Sequence, residues 1–187
     1  MVDRGGKPGI RRAQESAQAG QGLAPGRPQG EAATPPANAT PGLRFSWGSQ
    51  HDWVKSPAAM EALGRATAPV VRPGSVIALV GGLGAGKTHW TKGLVAALGS
   101  PAEVTSPTFG LVHEYPGGRV PVFHLDFHRL ENAAELIALG WDEYLESGGV
   151  IIAEWADKFP ELLPADTLWR VFSIEQDGTR TVRDAVV

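Results

Sequence analysis

Apolar residues along this chain fall in short blocks separated by glycine, proline and charged residues. Ser75–Val80 (SVIALV) and Val150–Ala153 (VIIA) are near-continuous apolar runs. Runs of that length suit strands buried on both faces, as in a parallel sheet. VPVFHLDF, residues 120–127, is a third strand candidate, and LRFSW, residues 43–47, reads as a short edge strand. Helical signals lie between these blocks. Ser56-Pro57 opens one helix, with Ser as N-cap and Pro at the first position. It runs through AAMEALGRATAPV and stops before Arg72-Pro73-Gly74. A second spans Thr88–Leu98 and ends at Gly99. A third is predicted over NAAELIALGWDEYLESG, with Asn132 as N-cap and Gly148 past its end. Gly117-Gly118 marks a turn, and Ser106, placed before Pro107, is extended. LWRVFSIEQDGTRTVRDAVV predicts a hairpin about Asp177-Gly178. Strands alternating with helices give an α/β architecture with a hairpin at one end.

Composition divides the chain in two. Residues 1–42 hold eight Gly and six Pro, a third of the segment, and no aromatic residue. Such a stretch buries too little apolar surface to offset its ordering entropy. Residues 1–42 are therefore read as a disordered tail and residues 43–187 as one domain. Arg11-Arg12 suggests an export signal, but no apolar segment follows, so a plain tail is the reading. The tail carries five basic and three acidic residues, so +2 of the net −3 leaves −5 on the domain. No global basic field for nucleic acid exists. With no cysteine, the chain has neither disulfide partner nor thiolate metal site. No run of 18 apolar residues exists, so no membrane partner is expected.

Between the apolar run at 75–80 and the helix from Thr88 stands GGLGAGKT, residues 81–88. The spacing Gly81-x-x-x-x-Gly86-Lys87-Thr88 fits the phosphate-binding P-loop. Glycines let successive backbone N–H groups point at phosphate oxygens. The helix that follows adds its positive end. Lys87 would reach the β- and γ-phosphates and Thr88 would hold Mg²⁺. The expected fold is thus three-layer and P-loop NTPase-like: a mostly parallel sheet flanked by helices, with the C-terminal β-hairpin.

A P-loop needs an acid for Mg²⁺ and a group that positions water. In parallel α/β sheets the site lies at the carboxyl ends of the strands. Asp126 and Glu154 both end apolar strands, and either fits. His124, Asp126 and His128 would share one strand face, which leaves a zinc site as a rival. Thr105-Ser106-Pro107-Thr108 is a hydroxyl-rich segment that fits a switch-like loop or an ordinary polar one. Arg129 fits a phosphate contact or a surface charge. Trp141 and Trp155 are read as packing residues, and Lys158 as a solvated charge.

The ordered set GGLGAGKT, VTSPTF, HLDFHRL, AELIALGWDEYL, IIAEW and LLPADTL resembles the TsaE family. The resemblance covers residues 43–187. It implies a cytoplasmic, Mg²⁺-dependent ATPase of bacterial tRNA threonylcarbamoyladenosine biosynthesis. Its partners would be a threonylcarbamoyl-transferase complex of TsaB- and TsaD-type proteins, with tRNA reached only through that complex. By the same resemblance, Leu83, Gly84, Ala85, Gly86, Lys87 and Thr88 hold the phosphates of ATP. Thr88 and Glu154 contact Mg²⁺, and Asp126 helps at the metal or the attacking water. Thr108 belongs to a switch-like loop, and Ser56 contacts nucleotide near the first helix. The chain departs from the family at Gly82, where an acid is usual, and at His89, in place of Thr or Ser. It also has His128 for Tyr and Ala156 for Pro. Two other functions share the P-loop: a small-molecule or nucleoside kinase, and a nucleotide-gated binding module with little turnover.

Overall fold

The computed structural model describes residues 46–187, with side chains from residue 52 onward. The predicted tail, residues 1–42, and most of LRFSW lie outside the described residues. The edge strand is longer than expected and begins at the end of that stretch. In chain order the elements are β1 (Ser46–Val54), α1 (Pro57–Thr67), β2 (Val76–Val80) and α2 (Lys87–Ala97). There follow β3 (Val112–Tyr115), β4 (Val122–Asp126), α3 (Ala133–Ala138), α4 (Trp141–Glu146) and β5 (Val150–Glu154). Two single-turn 3-10 segments, Ala156–Lys158 and Pro160–Leu162, lead to β6 (Leu168–Ile174) and β7 (Arg180–Val186).

All seven strands join one sheet in the order β1-β7-β6-β2-β5-β4-β3. The four central strands, β6, β2, β5 and β4, are parallel. The edges are not: β3 joins β4, and β7 joins both β6 and β1, all antiparallel. The sheet is therefore mixed rather than mostly parallel. The C-terminal hairpin is integral to it, and β1 pairs on the far side of β7. Every residue of β2 and β5 is buried, as their unbroken apolar runs predict for central strands.

Strand periodicity sorts the core into two layers. Ile77, Leu79, Val122, Val150 and Ile152 face α1 and α2, where they meet Met60, Trp90, Leu94 and Leu98. Val76, Ala78, Val80, Leu125, Ile151 and Ala153 face the other side, against Leu136, Trp141 and Phe159. Helices α1 and α2 cross very closely. A Cβ added at Gly93 would stand 1.8 Å from the carbonyl oxygen of Glu61, and one at Gly64 would stand 1.9 Å from that of Trp90.

The expected single helix over residues 132–148 is two short ones. Asn132 caps the first as predicted, accepting a hydrogen bond from the Glu135 N–H at 3.2 Å. Gly140 has φ of +93°, a left-handed conformation that ends α3 and starts α4 in a new direction. The turn lets Trp141 drop into the core, edge-on to Phe127, with its indole N–H on the carbonyl of Leu162 at 3.0 Å. Trp141 is thus the packing residue expected of it. Lys158 is not a solvated charge. Its ammonium donates to the carbonyls of His128 and Leu130 and ties the segment after β5 to the segment after β4.

Candidate functional site

The glycine-rich loop leaves the carboxyl end of β2 and enters α2 at Gly86, which has φ of +105°. Helix α2 has no side-chain cap. Its first-turn N–H groups lack intrahelical acceptors and carry the positive end of the helix dipole. A cavity of about 480 Å³ opens over this helix end. Leu83, Gly84, Gly86, Lys87 and Thr88 line it, as do Ser56, Thr108, Asp126 and Glu154. These are the candidate residues but one: Ala85 is buried beneath the loop, its N–H donating to the Gly82 carbonyl at 3.3 Å.

Two acids face the loop because the parallel register puts them side by side. Asp126 ends β4, Glu154 ends β5, and the two are register partners. Both lie on the sheet face that carries α2. The Thr88 hydroxyl donates to Glu154 Oε1 at 3.0 Å. His124 Nε2 lies 3.0 Å from the same oxygen, while Oε2 is 3.7 Å from Lys87 Nζ. Burial pushes the Glu154 carboxyl up. The hydrogen bond and charge of His124, then Lys87 and Thr88, outweigh that and hold it below the usual carboxylate range. Burial pulls the Lys87 ammonium below its ordinary value, with Glu154, Asp126 and Asp157 opposing the shift. Lys87 Nζ also donates to the carbonyls of Gly81 and Gly82, at 2.8 and 3.1 Å.

Asp126 is bound differently. Its Oδ1 accepts from the His128 N–H at 2.8 Å and its Oδ2 from the Thr108 hydroxyl at 2.5 Å. Ser106 reaches Thr108 at 2.8 Å, so the segment from Thr105 to Thr108, exposed at Thr105 and Ser106, is fastened to Asp126 at its end. Ser56 lines the cavity, but its hydroxyl accepts from the Ala59 N–H at 3.1 Å as the cap of α1.

The rival zinc reading is not supported. Strand β4 ends at Asp126, so His128 lies beyond it, exposed, with its ring 4.7 Å from that of Trp155. Among the described residues no group of three His, Cys, Asp or Glu side chains is placed to hold a metal ion. Oxygen donors do converge. Thr88 and Glu154 offer a hydroxyl and a carboxylate, a set that suits Mg²⁺, which uses one or two carboxylates and keeps its waters. Arg129 stands over the Phe109 ring at 6.0 Å and does not line the cavity.

Several wall residues were not expected. Trp155 has a left-handed backbone, φ +57°, uncommon for a bulky residue. Its ring lies 4.7 Å from Lys87 Nζ, so it serves the cavity as well as the packing. Val54, Lys55, Pro57 and Met60 come from the β1–α1 junction, and Arg180 from the start of β7. No local motif marks them. The edge strand β1 brings them to the cavity, and its register lies in pairing rather than in pattern.

The sequence model of the family described as "Threonylcarbamoyl adenosine biosynthesis protein TsaE" matches residues 54–183. The chain belongs to the TsaE family. Among relatives named "tRNA threonylcarbamoyladenosine biosynthesis protein TsaE", that of Bacillus subtilis (strain 168) is 40% identical over 127 residues, 68% of this chain and 79% of the relative. The Treponema pallidum (strain Nichols) protein is 36% identical over 60% of this chain and 83% of its own length. The Streptomyces coelicolor protein is 41% identical over 58% of this chain and 75% of its own. A crystal structure of Bacillus subtilis YdiB superposes with a TM-score of 0.64 at 32% identity. That match covers 78% of this chain and 88% of that one. The span matched by the TsaE family model contains every described residue that lines the cavity.

Proposed function

We propose that this chain is a Mg²⁺-dependent ATPase that serves tRNA N6-threonylcarbamoyladenosine formation by cycling a threonylcarbamoyl-transferase complex in the cytoplasm. Membership of the TsaE family supports the pathway. The observation that carries the chemistry is the meeting of Lys87 and Thr88, at the head of α2, with Asp126 and Glu154, at two adjacent strand ends, in one cavity. No helix among the described residues is long and apolar enough to cross a membrane.

In this reading Leu83–Thr88 cradle the phosphates of ATP through backbone N–H groups and the helix end. Lys87 moves from the Gly81 and Gly82 carbonyls to the β- and γ-phosphates. Thr88 and Glu154 hold Mg²⁺, which when bound offsets charge on the phosphate oxygens. Asp126 orients the attacking water. Water oxygen bonds to the γ-phosphorus, the bond to the β–γ bridging oxygen breaks, and ADP and phosphate leave. TsaB- and TsaD-type proteins are the partners, and tRNA is met through them.

ATP turnover with Mg²⁺, measured alone and with a bacterial transferase complex, tests this. Weak basal turnover that rises with the complex and is lost in Lys87→Ala is expected. Turnover in Lys87→Ala equal to wild type would remove the loop from the chemistry. Turnover indifferent to the complex would remove the pathway role and direct attention to a kinase acceptor. Tight binding without turnover would make the protein a nucleotide-gated module.

A further inference from the structure

His124 lies behind Glu154, and its other nitrogen opens a second connection. The ring is fully buried, and its Nδ1 lies 3.3 Å from the Tyr115 hydroxyl. Tyr115 ends β3 and is itself buried. Its hydroxyl donates to the carbonyl of Thr105 at 3.1 Å. An unbroken line of polar contacts therefore runs from Thr88 through Glu154, His124 and Tyr115 to the backbone of Thr105. From Thr105 the chain continues to Thr108, which returns to Asp126. The segment is held at two points, each tied to one of the two acids.

A phenol hydroxyl donates one proton and also accepts. Here the proton goes to the Thr105 carbonyl, which leaves the phenol oxygen to take up the contact with His124 Nδ1. The hold of Glu154 on Nε2 fixes the ring that makes this contact. If Tyr115 were only a packing residue, its ring would suffice and the hydroxyl would be dispensable.

We propose that Tyr115 is a positioning residue whose hydroxyl, acting through His124, ties the Glu154 side chain to Thr105, so that the hold on segment 105–110 depends on the contact between Glu154 and His124. The catalytic consequence rests on the ATPase reading. The tie itself is a property of the protein without nucleotide.

Tyr115→Phe in the full chain keeps the ring and removes the tie. Two readouts separate the proposal from the ATPase reading. Hydrogen exchange of the peptide spanning residues 105–111, measured without nucleotide, is expected to quicken about threefold to tenfold, the effect of one net hydrogen bond. In turnover, kcat is expected to fall about tenfold or more with KM unchanged, as for other outer-shell partners of a metal site. Wild-type exchange in Tyr115→Phe overturns the proposal. If wild type hydrolyses no ATP, the ATPase reading fails while the exchange arm still decides the tie. Should Tyr115→Phe not fold, Glu154→Ala asks the same question from the other end. Faster exchange at 105–111 supports the tie, because among the described residues the Glu154 side chain meets Thr88, His124 and Lys87 rather than that segment, and unchanged exchange overturns it.

Discussion

At the residue scale, the two acids are adjacent yet held by different groups, and that difference separates their roles. Glu154 shares one oxygen with Thr88 and His124, whereas Asp126 is occupied by Thr108 and the His128 N–H. Glu154→Ala is therefore expected to raise the Mg²⁺ concentration needed for half-maximal turnover, while Asp126→Ala lowers maximal turnover at saturating Mg²⁺. A Mg²⁺ titration of both variants decides it, and the reverse pattern would exchange the roles. Acid stability gives a second test. Because Glu154 is held below its ordinary value of 4.5, its ionised form stabilises the fold above that pH. The contribution is lost as pH falls through the lower folded value. Wild type is thus expected to lose melting temperature below about pH 4.5 more steeply than Glu154→Gln, and parallel curves would show that Glu154 is not held down. The departures from the family also become physical here. Gly82 presents its carbonyl to Lys87, His89 lies 3.3 Å from Glu61, His128 packs on Trp155, and Ala156 is fully buried.

At the element scale, the loop depends on how α1 and α2 meet. Met60 of α1 lies directly under Gly86, so α1 is part of the floor of the loop. The helices approach this closely only because Gly64 and Gly93 lack side chains. Gly93→Ala would gain up to about 1 kcal/mol of helix propensity. It would also force a methyl group onto the backbone of Glu61, and overpacking of that kind costs typically about 1–3 kcal/mol or more. Backbone cannot swing aside as a side chain can, so the second effect wins. A melting temperature lower by roughly 5–10 °C is expected for a domain of this size, and an unchanged one would mean that the helices separate freely. The sequence showed these helices through Ser56-Pro57, Gly99 and their apolar spacing. It did not show their close crossing, because a glycine inside a helix looks the same whether it faces solvent or a neighbour. Gly140 misled for a related reason. Helical spacing continued through it, and only its left-handed backbone reveals the break.

At the scale of the whole molecule, what could be foreseen was what lies close together in sequence. The loop, the acids at strand ends and the C-terminal hairpin each carry a local signature. Strand β3 and the pairing of β1 with β7 do not, because antiparallel edges are decided by which strand finds which partner. That pairing brings Lys55 and Arg180, more than a hundred residues apart in sequence, to one cavity. Every described residue that lines the cavity lies between Val54 and Arg180, and the family match spans residues 54–183. On the proposed reading, every described nucleotide contact lies after residue 42. A chain beginning at residue 43 is expected to keep the basal turnover and Mg²⁺ dependence of the full chain. Because the tail differs in charge sign from the acidic remainder, stimulation by the transferase complex is the quantity to measure beside it. Equal stimulation of the two chains is expected if the domain alone carries the partner contact. Normal basal turnover with stimulation lost would assign the tail to the partner, and loss of basal turnover would place part of the site before residue 43.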